Sequence, residues 1–119
     1  MKMFCITIYD EHYDKIKNLG YIPVGLGDKI ISDKFLTDYN KDNISKKNPY
    51  YGEYTFHYWL WKNKIINNEK NWIGFCQYRK FWVKKNSSIK NKNLNQLNEN
   101  ILKKIPENIK NYESILGEP

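Results

Sequence analysis

Tyr50-Tyr51-Gly52-Glu53-Tyr54-Thr55-Phe56-His57-Tyr58-Trp59-Leu60-Trp61-Lys62-Asn63, nine further residues, then Ile73-Gly74-Phe75-Cys76-Gln77-Tyr78-Arg79-Lys80-Phe81-Trp82: this stretch decides the fold. Between Tyr50 and Trp82 lie all four tryptophans and the only arginine. The spacing predicts a helix over 52–63 feeding a buried strand over 72–77. A helix this aromatic is expected to bury most of its surface. The strand turns polar and cationic at Gln77-Tyr78-Arg79-Lys80, where open α/β sheets bind their ligands. Gly74 inside the strand signals close packing against it.

Upstream, Met3 to Tyr9 is a nearly continuous β-prone run, which suits a central strand covered on both faces. Tyr13 to Leu19 follows as a short helical turn closed by Gly20. Tyr21-Ile22-Pro23-Val24 reads as a second strand, ending in Gly25-Leu26-Gly27. Those glycines suit a plain turn or close approach to a phosphate, without a full dinucleotide-binding fingerprint. Residues 28–49 are polar with turn chemistry throughout, and a loop of that length in a small domain is functional or mobile. Downstream, residues 84–93 read as a loop and 93–105 as an amphipathic helix stopped by Pro106. Tyr112 to Leu116 reads as strand-like. Strand and helix alternate, so the expected class is α/β with a mostly parallel sheet and flanking helices, one domain over 1–119.

The chain has 119 residues and a net charge of +7, but 19 of its 20 cations are lysine. Lysine, asparagine, isoleucine and tyrosine are what AT-rich codons write, so the charge is discounted as a nucleic-acid signal. A nucleic-acid surface would also gather aromatics and cations on one exposed face, whereas these aromatics are patterned for burial. Cys5 and Cys76 sit in apolar runs and read as buried reduced thiols. No run of about 18 apolar residues and no leader pattern occur, so the expected location is the cytoplasm, with at most peripheral membrane contact.

No nucleophile elbow, phosphate loop, Asp-x-Asp or metal-ligand spacing occurs. What remains is an Arg-Lys pair at a strand end, Glu53 and His57 at helical spacing, and aromatic faces. Rings stack on bases and sugars, and arginine grips phosphate with two parallel donors. Glu53 and His57 either hydrogen-bond each other or the backbone, or face a ligand. Arg79 either neutralises a diphosphate or pairs with Glu53 or Asp10.

Asn43 to Asn48, Tyr51-Gly52-Glu53-Tyr54-Thr55, Tyr58-Trp59-Leu60-Trp61-Lys62-Asn63 and Ile73 to Phe81 resemble the bacterial domain-of-unknown-function 4422 family. That family is grouped with GT-A glycosyltransferases and with capsule and exopolysaccharide genes. Gly52, Gln77 and Lys80 depart from its usual Cys, His and Arg. Gln77 cannot titrate, which argues against a proton-transfer role at that position. The resemblance implies a Rossmann-like GT-A fold, present here as an incomplete N-terminal, nucleotide-sugar-binding portion. It implies transfer of a sugar from a nucleotide-sugar donor to a glycan acceptor, in polysaccharide or surface-glycan biosynthesis. The alternative is a non-catalytic binding module of the same fold.

The candidate substrate-binding set is Tyr9, Asp10, Gly25, Gly27, Asn48, Glu53, His57, Lys62, Gln77, Tyr78 and Arg79, with no catalytic residue assigned. Arg79 is expected to face a cleft shared with Tyr9, Asp10 and the 25–27 turn. Without an Asp-x-Asp, no divalent metal is expected, and no nucleic-acid partner.

Overall fold

A computed structural model describes residues 1–27, 31–67, 70–84 and 94–116. Residues 28–30, 68–69, 85–93 and 117–119, which include most of the expected 84–93 loop, lie outside the described residues. Strands β1 (Lys2–Thr7), β2 (Ile22–Gly25) and β3 (Ile73–Gln77) form one parallel sheet in the order β2-β1-β3.

β1 is central, and its apolar run is sorted strictly by strand period. Met3 and Cys5 pack with Ile16 of α1 (Tyr13–Asn18) and with Leu19 just past its end on one face. Phe4 and Ile6 pack with Phe56, Trp59 and Leu60 of α3 (Tyr54–Lys62) on the other. The result is a helix–sheet–helix sandwich, as the continuous run predicts. α1 closes as foreseen: Gly20 takes a left-handed φ of 79°, its amide bonds Lys17 O, and Tyr21 N reaches back to Ile16 O.

The helix predicted over 52–63 is present as α3, but it does not begin at Gly52. A separate turn, α2 (Asn48–Tyr51), precedes α3. Gly52 between them has φ 53° and ψ −133°, a conformation only glycine adopts readily. Its carbonyl accepts bonds from Asn48 Nδ2 (2.9 Å) and Thr55 Oγ1 (3.2 Å), which fix the break. Nor is α3 buried on most of its surface. Phe56, Trp59 and Leu60 point inward, while Tyr54 and Trp61 are exposed. The helix expected over 93–105 is shorter, α4 (Leu94–Asn100), because Ile101 leaves it to bridge Val83. Residues 112–116 form no strand.

The polar segment after β2 is tied down. Leu36 bridges Val24, with Gly25 N bonding Leu36 O and Leu36 N bonding Pro23 O, so the edge beside Pro23 is covered. Trp59 Nε1 donates to Asn40 O (3.0 Å). Asp38 is only 1% exposed, and one of its carboxylate oxygens has no partner. Burial pushes its pKa up, and a bond from Thr55 opposes this.

Cys5 and Cys76 are register partners on β1 and β3, both buried and reduced. The neighbouring Cys5 thiol and burial raise the Cys76 pKa far above the thiol range. A thiol held protonated is a poor nucleophile, so the pair is inert.

Two outcomes follow from this packing. A Cβ on Gly74 would run into the Met3 sulfur, so Gly74→Ala is expected to lose about 1–3 kcal/mol in urea unfolding. For Asp38, the raised folded pKa means its contribution is full below about pH 4, the unfolded value, and is lost as pH climbs through the folded one. Stability measured against pH is expected to fall over that range, and Asp38→Asn to flatten the fall.

Candidate functional site

All three strands are parallel, so their carboxyl ends share one edge of the sheet. The chain leaves β1 for β2 on one side, then crosses back to β3 on the other. The reversal opens a crevice between the ends of β1 and β3, the position where such sheets take ligands. Hydrogen bonds from Leu26 N to Thr7 O and from Tyr78 N to Ile6 O hold the three chain segments together just past the strands.

Thr7 ends β1 and is 1% exposed. Its hydroxyl accepts the Tyr9 amide (3.1 Å) and lies 2.8 Å from His12 Nδ1. This contact ties the His12 ring to the buried end of β1. The His12 ring stacks on Tyr78 at 4.5 Å, and Tyr9 meets both rings edge-on. The Arg79 guanidinium sits 5.2 Å over the Tyr78 ring. Rings and cations from both sides of the crevice therefore touch. His12 and Thr7 are absent from the sequence-derived set. The signal available was position: His12 lies five residues past the carboxyl end of a central strand.

A second cluster adjoins it. Gln77 Nε2 donates to Glu53 Oε1 (3.1 Å), joining the end of β3 to the start of α3. Glu53 is half-buried, and its partner is neither His57 nor the 43–48 loop. His57 packs on Phe75 at 4.3 Å, with Nε2 buried and unpartnered. Burial lowers the His57 pKa, and the Glu53 charge pulls it back part of the way. Glu53, His57, Phe75, Gln77 and Lys80 line one end of an open groove of about 1610 Å³.

The other predicted residues are dispersed. Asp10 Oδ1 accepts the Ser32 amide (2.8 Å). Gly25 lies against the Ile31 side chain, where a Cβ would come within 2.6 Å of it, so its bareness serves packing. The Gly27 carbonyl accepts the Tyr39 hydroxyl (2.8 Å), and Asn48 clamps the α2–α3 break. Lys62 lies at the far end of α3, nine residues from Glu53, or roughly 13 Å along the axis. Arg79 meets Tyr78, and through it Tyr9. Among the described residues, no three His, Cys, Asp or Glu side chains gather to hold a metal, and no helix is long and apolar enough to cross a membrane.

With this geometry in view, comparison with known proteins gives one match. The model of a family described as "Domain of unknown function (DUF4422)" matches residues 5–119, and the chain belongs to that family. No curated protein and no solved structure matches.

The Glu53–His57 coupling has a direct readout. The imidazole of His57 should titrate below the ordinary histidine value in an NMR pH series. Glu53→Gln removes the charge that pulls it up, and is expected to lower it further. Because the folded value is depressed, the stability linked to His57 is intact above about pH 6.5, the unfolded value, and is lost as pH falls below it.

Proposed function

We propose that this chain is the donor-binding portion of a glycosyltransferase with a GT-A-type fold, taking a nucleotide sugar and serving the synthesis of a surface polysaccharide. The observation that supports this reading best is the ring-and-cation cluster of Tyr9, His12, Tyr78 and Arg79 at the sheet's reversal point. Aromatic faces of this kind stack on a base or a pyranose. Arg79 offers a planar fork to two phosphate oxygens. No Asp-x-Asp occurs to anchor a divalent cation on the diphosphate. In this proposal the Arg79 and Lys80 charges take that part, stabilising the nucleoside diphosphate as the bond to the sugar breaks. The acceptor is a glycan hydroxyl, and the reaction is cytoplasmic.

A second reading, a non-catalytic binding module, draws on one observation. Glu53, beside the end of β3, is engaged by an amide that cannot relay a proton. Sugar transfer to a glycan acceptor would exclude this reading.

The test is isothermal titration of the full chain with a panel of sugar nucleotides, with and without EDTA. Binding is expected to survive EDTA. Arg79→Lys keeps the charge but loses the fork, and is expected to weaken binding by about 1–3 kcal/mol, the range for charge-assisted bonds. Unchanged affinity in that variant, or loss of binding in EDTA, would contradict the proposal.

A further inference from the structure

Helix α3 sorts its own aromatics. Phe56 and Trp59 face the sheet, while Tyr54, Tyr58 and Trp61 recur at i, i+4 and i+7 on the opposite face. Tyr54 and Trp61 are each 66% exposed. In the preceding turn Tyr50 is 87% and Tyr51 52% exposed, and Ile65 past the helix end is exposed too. Exposed rings repeated along one helix face mark an interaction surface, since isolated exposed apolar residues are ordinary but a stripe is not.

The charge around the ridge is one-sided. Lys46 and Lys47 precede it, and Lys62 and Lys64 follow, all exposed. Lys62 Nζ lies 5.9 Å from the centre of the Trp61 indole. From Asn43 to Asn67 the only acid is Glu53, and its carboxylate is held by Gln77.

We propose that this ridge docks on an anionic lipid surface. The chemistry of the residues selects that occupant. Outward positions carry Tyr and Trp, which have an apolar body and a polar tip, the pair suited to the boundary between headgroups and acyl chains. Phe56 and Leu60 turn to the core instead. Lysines at both ends of the ridge meet anionic headgroups and outnumber the one exposed acid beside them, Asp42, whose backbone is bonded to Asn63. The surface is the convex side of a helix. Single-stranded nucleic acid is gripped in a cationic groove that tracks its backbone, which this ridge does not offer. The inference is independent of the donor reading, because the ridge and the Tyr78 cluster share no residue.

The experiment is co-sedimentation of the full chain with phosphatidylglycerol/phosphatidylcholine vesicles, against phosphatidylcholine alone. The chain is expected to bind the anionic vesicles, with tryptophan emission shifted to the blue and quenched by brominated lipid. Trp61→Phe is expected to remove most of that quenching. Lys62→Gln combined with Lys64→Gln is expected to weaken binding roughly thirtyfold, at about fivefold per surface lysine. Both variants alter exposed side chains, and circular dichroism checks that they fold. Equal binding to neutral vesicles, no binding, or binding unmoved by these substitutions would overturn the proposal. So would preferential binding of a single-stranded oligonucleotide, or a dimer in light scattering that disappears in Trp61→Phe.

Discussion

The constraint on which the rest depends is the position of β1, hydrogen-bonded on both edges and covered on both faces. Its register with β2 and β3 makes all three strands run the same way. Parallel neighbours cannot be joined by a hairpin, so each connection must cross a face of the sheet. Those crossings bring α1 and α3 onto opposite sides and place every strand's carboxyl end on one edge. β1 is also the strand at which chain direction reverses, so the crevice opens at its own end. Thr7, the last residue of β1, is where fold becomes site: its buried hydroxyl fixes both the exit of the chain at Tyr9 and the ring of His12.

The two faces of α3 divide the labour in the same way. Its inner face contributes Phe56, Trp59 and Leu60 to the core against Phe4 and Ile6. Its first residues approach the carboxyl edge and bring Glu53 to Gln77. The Gly52 break makes this possible, because an unbroken helix from Asn48 would carry Glu53 on a different heading. Asn48 and Thr55 hold that break with side-chain bonds, so residues that look like loop polarity are structural clamps.

Much of the fold was legible in the residues, and for physical reasons. The run Met3–Tyr9 had no polar alternation, which predicted burial on both faces, and Met3/Cys5 and Phe4/Ile6 divide between two cores. Gly74 signalled close packing, and Met3 occupies the space. The helix over 52–63 was legible to within two residues at either end, and what its pattern could not reveal was the separate turn before it and the backbone at Gly52. Its burial was overestimated because aromatic content was read without separating Phe and Trp59, which face in, from Tyr54 and Trp61, which do not. The α4 helix ended early because Ile101 found a pairing with Val83, a tertiary contact invisible to local periodicity. Tyr9 and Tyr78, named for their place at strand ends, do meet ring to ring. Gly25 was named for the turn it opens, and Asn48 and Lys62 for their place in the motif stretches; in the fold Gly25 packs on Ile31, Asn48 clamps the break and Lys62 is exposed. His12 was passed over because it was weighed only as a metal ligand, and its hydroxyl partner was hidden in the strand.

The central claim is that ligand chemistry is confined to the carboxyl edge of the sheet, at the reversal between β1 and β3. Amide chemical-shift mapping during titration with nucleoside diphosphates tests it most directly. The account predicts shifts clustered at Ile8 to His12 and Gln77 to Lys80, with little change at the amino edge around Lys2, Ile73 and Lys62. Shifts centred on that amino edge, or spread along the outer face of α3 alone, would contradict it.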